Sequence, residues 1–166
     1  MPSAGALLVA DNLTLTAREV YPSTDTAFLL MSLGLAPATA TGTHNTIAFA
    51  SNGATPYAPL SANGAVLVDA RTIVQGGALY APLGTIQLGY GQGQTLPAIF
   101  LGSAADTGSN PYDPVGNVFL GSFSNASITT VATQSVTLTP GSITSVSASG
   151  LSIPYGTTVD GTNWSE

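Results

Sequence analysis

The chain has 166 residues, a net charge of −6 and only 6% charged side chains, against roughly 25% in an ordinary soluble domain. Lysine is absent and Arg18 and Arg71 are the only basic side chains, which excludes the cationic surface that nucleic acid or an anionic membrane requires. The absence of cysteine excludes a disulfide framework, a thiolate zinc site and a cysteine nucleophile.

Helix formers are scarce, and Thr, Ser, Val and Gly dominate. In chain order, apolar residues alternate over short runs at Leu13, Leu15 and Ala17, then at Ile47 and Phe49, then at Val66, Val68 and Ala70. Further runs follow at Ile86 and Leu88, Val118 and Leu120, Val136 and Leu138, and Leu151 and Ile153. Each has the length of a normal strand. Turn signals separate them at Asn52-Gly53, Asn63-Gly64, Gly76-Gly77, Leu83-Gly84, Pro140-Gly141 and Asp160-Gly161. The apolar run AFLLMSLGLA at 27–36 is too short to cross a membrane and lacks the basic lead of a signal peptide, so no transmembrane helix is expected.

This pattern predicts an all-β chain, either a right-handed parallel β-helix (solenoid) or a β-sandwich. Residues 64–89 favour the solenoid, because two strand-turn units stand back to back with single glycine corners between them. Residues 1–166 read as one β-helix segment. Three stretches rich in Pro, Gly, Asn or Asp, at 54–62, 89–95 and 103–117, are expected to project from it as loops.

Three blocks carry a family resemblance. They are LTLTAREVYPSTDTAFLL at 13–30, the stretch 45–89 with its Ser-Asn-Gly and Ala-Asn-Gly turns and Gly-Gly-Ala-Leu-Tyr-Ala-Pro-Leu-Gly, and QSVTLTPGSITSVSASGLSIPYGTTVDGTNW at 134–164. In these blocks the chain resembles the bacterial filamentous haemagglutinins, the large adhesins of two-partner secretion, and is similar to a C-terminal-region fragment of one. The resemblance implies a right-handed parallel β-helix shaft from a Gram-negative bacterium, secreted or held on the cell surface and exported by an outer-membrane two-partner-secretion transporter. It also implies that the chain is part of a longer exoprotein. The partners expected are host-cell or bacterial-surface glycans or proteins.

Catalytic signals are sparse. His44, the sole histidine, lies in the polar segment TGTHNT without a Gly-x-Ser-x-Gly elbow, and is expected to be a solvated loop residue. Asp106 and Asp113, in the longest excursion, are the one carboxylate pair with the spacing a polysaccharide-processing β-helix enzyme would need. Both also belong in ordinary turns. Asp69 and Arg71 are expected to form a surface ion pair. No calcium-binding loop is recognised and Gly89, Gly91 and Gly93 lack phosphate-loop spacing, so no catalytic residue, metal or cofactor is assigned. Exposed aromatics stack on sugar rings, which leaves a non-catalytic carbohydrate-binding module open. Tyr57, Tyr90, Asp106, Tyr112 and Asp113 are the candidate surface-contact residues.

Overall fold

The structure is a computed structural model that describes residues 3–35, 42–91, 94, 130–152, 157–158 and 164–165. These residues are all-β, with no helix among them. The expected run at Val118 and Leu120, Ile153, and the excursion 103–117 lie outside them.

Ten strands carry the architecture: β1 Ser3–Val9, β2 Leu13–Ala17, β3 Thr26–Ser32, β4 Thr46–Ser51, β5 Ala65–Asp69, β6 Thr72–Gly76, β7 Ala78–Tyr80, β8 Thr85–Leu88, β9 Ser135–Leu138 and β10 Ile143–Ser145. They form one four-stranded sheet in the order β1-β3-β5-β8, a second in the order β2-β4-β6-β9, and the pair β7-β10. Every pairing in these three sheets is parallel. The one antiparallel pair joins the two-residue strands β11 Thr157–Thr158 and β12 Trp164–Ser165.

The chain alternates between the two larger sheets, so each strand lies beside one from an earlier pass. The registers stack like on like. In the second sheet Leu13, Ile47, Ile73 and Val136 form one column, and Leu15, Phe49, Gln75 and Leu138 the next. In the first, Leu7, Leu30, Val68 and Leu88 align, as do Gly5, Phe28, Val66 and Ile86. These inward columns meet in the main core around Leu30, Ile47, Phe49, Val66, Val68, Ile73 and Leu79. Burying each Leu, Ile or Val fully contributes roughly 1.5–3 kcal/mol.

Gly5 admits its neighbour, since a methyl there would lie 2.8 Å from the Phe28 ring. Val20 adds a rung to the third ladder by pairing in parallel with Leu79. It does so because residues 52–62, which follow β4, form no strand and leave that ladder.

The strand expected at 66–70 buries both faces. Val66 and Val68 enter the main core, while Leu67 joins Leu29, Met31 and Tyr90 in a second cluster on the other face of the first sheet. Parallel strands are commonly covered on both sides, and alternation then disappears from the burial pattern. The apolar run at 27–36 has the same explanation: β3 is an interior strand with Leu29, Leu30 and Met31 buried. No helix among the described residues is long and apolar enough to cross a membrane.

The corners repeat too. Asp25, Asn63 and Leu83 occupy equivalent positions before β3, β5 and β8, all in the left-handed region with φ of 52°, 57° and 56°. Asn63 Nδ2 donates to Asp25 Oδ1 at 2.7 Å, forming a rung of a side-chain ladder. Asn tolerates this backbone conformation, whereas Leu does not. Leu83 is also largely exposed. Leu83→Asn is therefore expected to stabilise the chain by about 1 kcal/mol. A chemical-denaturation midpoint at or below that of the wild type would contradict this.

Candidate surface site

After β4 the chain turns sharply. Asn52 N–H donates to Ala17 O at 3.1 Å, Gly53 N–H to Ser51 Oγ and Ala54 N–H to Asn52 Oδ1. Gly53 takes a φ of 84°, in open space. This turn carries Tyr57 outward to the loop after β2. There Arg18 lies over the Tyr57 ring, 3.9 Å from its centroid. Tyr57 N–H donates to Glu19 Oε2 at 3.3 Å. Tyr57 remains 64% exposed, and Leu60 beside it is equally open. An aromatic face flanked by one cation and one carboxylate can stack on an apolar ring face and hydrogen-bond its rim. The sequence marked Tyr57 through its proline-rich surroundings, but nothing local links it to Arg18 and Glu19, some 38 residues earlier.

The other candidates fare differently. Tyr90 is a correction: it is 5% exposed and packs with Leu29, Met31 and Leu67, so it is a core residue and offers no contact surface. It bridges in parallel to Ala132, and its N–H donates to Thr133 Oγ1 at 3.1 Å. Asp106, Tyr112 and Asp113 lie outside the described residues.

Asp69 and Arg71 do not form the expected ion pair. Asp69 ends β5 with no exposure and accepts the Val131 N–H at 3.2 and 3.0 Å, whereas Arg71 stands exposed at the next corner. Burial pushes the Asp69 carboxyl up to about 6, against the opposing pull of the Val131 N–H. Burial, and then the nearby Asp69 charge, raise the Tyr90 phenol too.

A carboxyl with a raised folded pKa stabilises fully below its unfolded value, about 4, and loses that contribution as pH rises through about 6. Asp69→Asn keeps the acceptor for Val131 and removes the titration. It should match the wild type below about pH 4 and exceed it by about 1–2 kcal/mol at pH 8, after allowance for partial solvation. Parallel stability–pH profiles for the two proteins would refute this.

His44 is also corrected, from a solvated loop residue to a half-buried one. Its Nδ1 lies 2.7 Å from Asp11 Oδ2, and this pair holds the Asp11 carboxyl below the usual range. Asp11 Oδ1 accepts Asn45 N–H at 2.5 Å, Asn45 Oδ1 accepts Arg71 N–H at 2.8 Å, and Asn12 Oδ1 accepts Thr46 N–H at 2.9 Å. The three corners before β2, β4 and β6 are thus joined by polar side chains that satisfy main-chain donors of the next pass. Ser32 Oγ donates to Asp11 O, adding a main-chain acceptor of the same corner to this network. The signal for this column was present as Asp11-Asn12-Leu13, Asn45-Thr46-Ile47 and Arg71-Thr72-Ile73, a polar pair at a constant offset before the first inward residue of each strand.

No grouping of three or more His, Asp or Glu side chains suited to a metal occurs among the described residues. Comparison with known proteins finds no match to a family model, a curated sequence or a solved structure.

Proposed function

We propose that this chain is a shaft segment of a secreted or cell-surface filamentous adhesin, built as a right-handed parallel β-helix that acts by contact and display without catalysis. One observation supports this reading most. Three parallel ladders run side by side with like residues in register, as in the column Leu13, Ile47, Ile73 and Val136. A solenoid places successive coils in that relation, whereas the usual sandwich is antiparallel. The family resemblance supports the export route through an outer-membrane transporter.

The test is export. Fused behind the secretion domain of a two-partner exoprotein, the chain should become protease-accessible on the cell surface only when the cognate transporter is present. Retention in the periplasm under those conditions would count against the proposal. A glycan screen that releases product, with loss of release in Asp113→Asn, would favour a polysaccharide-processing enzyme instead.

A carbohydrate-binding role is the second reading, favoured by the exposed Tyr57 ring under Arg18. On a glycan array Tyr57→Ala should then abolish binding by the intact chain. If the wild type binds no glycan, that role is refuted and the shaft reading is unaffected.

A further inference from the structure

The two ends of the strand stack are complementary, and we infer that a second copy of the chain docks on them head to tail. This inference rests on the solenoid reading and extends it to the chain's own assembly.

At one end β1 and β2 are edge strands, and at the other β8 and β9. Among the described residues no strand pairs with any of these four free edges. Free edges recruit further strands unless charge, proline or a cover blocks them. None of these strands, SAGALLV, LTLTA, TIQL and SVTL, contains a charged residue or a proline.

The same ladders end at both faces in the same order and direction. A second copy can therefore lay its β1 on β8 and its β2 on β9, continuing each ladder in parallel over as many as four residue pairs. Its Val20 would then stand over Thr144 in the third ladder, which already carries Val20, Leu79 and Thr144 in line.

Side chains match as well. At the β1–β2 end the interior opens into a cavity of about 380 Å³ lined by Leu7, Leu15, Val20, Tyr21, Phe28 and Leu30. At the β9 end Val136 and Leu138 project from the columns that Leu13 and Leu15 terminate at the other face, and Leu138 is 57% exposed. Docking places these projecting side chains at the mouth of that cavity. The contact joins two different surfaces, so it repeats without closing and generates a filament.

Sedimentation velocity on the intact chain tests this. The mean mass of the wild type should rise continuously with concentration. Leu138→Lys and Leu7→Lys, each folded by circular dichroism, should each stay monomeric where the wild type assembles. Mixed in equal amounts they should form dimers and nothing larger, because each retains the end the other lacks. Wild type that stays monomeric at every concentration overturns the inference. So does a single variant that dimerises alone, since that outcome means a two-fold contact.

Amide exchange on the wild type gives a reading free of variants. Protection of β2 and β9 should rise with concentration, and concentration-independent protection contradicts the inference. A chain that is exported yet remains monomeric removes the stacking and leaves the shaft reading intact.

Discussion

Gly84→Ala should destabilise the chain by about 4 kcal/mol or more, the exceptional end of the range for a single substitution. A β-carbon at Gly84 would lie 1.8 Å from Gly64 O, with Gly64 C and N at 2.8 and 2.9 Å. That oxygen accepts the Thr85 N–H at 3.0 Å, the first bond of the β5–β8 pairing. No rotamer relieves such a clash, because every atom concerned is main chain. Two strands must move apart, and the paired columns above them with them. Gly53→Ala is the control. Its φ is left-handed at 84°, unlike that of Gly84, but nothing lies within 4 Å, so only backbone strain of about 1–2 kcal/mol is expected. Urea unfolding followed by circular dichroism measures both. Equal losses for the two variants would mean that close approach at Gly84 is not what the corner requires.

Gln75→Ala should cost about 3 kcal/mol. Gln75 is a fully buried polar residue in an otherwise apolar column, between Phe49 and Leu138. Its Nε2 donates to Ile143 O at 2.7 Å and also reaches Thr144 Oγ1 and Gly77 O at 3.2 Å. Its Oε1 accepts Gly77 N–H at 3.3 Å. Alanine leaves these groups without their partner and opens a void as well. Gln75→Leu refills the void but not the bonds, so about 2 kcal/mol of the loss should remain. Hydrogen exchange at 143–145 should quicken in both variants, since the amide ties β10 to the turn before β7. Full recovery of stability in Gln75→Leu would show that packing, not the amide, holds this point.

Legibility followed the range of each interaction. The runs at 13–17, 47–49, 66–70, 86–88 and 136–138 became strands, the third ending at Asp69, whereas Leu151 of the last expected run forms no strand; the excursion at 54–62 stayed outside the ladders. Tyr90 was misread because glycines on either side look like a loop, while the contacts that bury it come from Leu29, Met31 and Leu67, far back in the chain. Asp69 and Arg71 were misread as a pair because two-residue spacing keeps side chains on one face only while the strand continues. The strand ends at Asp69, and the corner turns Arg71 outward. His44 found Asp11 across 33 positions.

The strand runs at 13–17, 47–49, 66–70, 86–88 and 136–138, the glycine and asparagine corners and the alternation of Leu13, Leu15, Ile47 and Phe49 were determined by the sequence alone. They arise from backbone geometry between neighbours, where apolar residues of period two can bury one face. The tertiary structure alone decided which strand lies beside which, that Val20 meets Leu79 past the 52–62 excursion, and that the first sheet is covered on both faces. Those outcomes depend on which segments, tens of residues apart, bring matching columns and complementary main-chain donors into register. No local pattern carries that information.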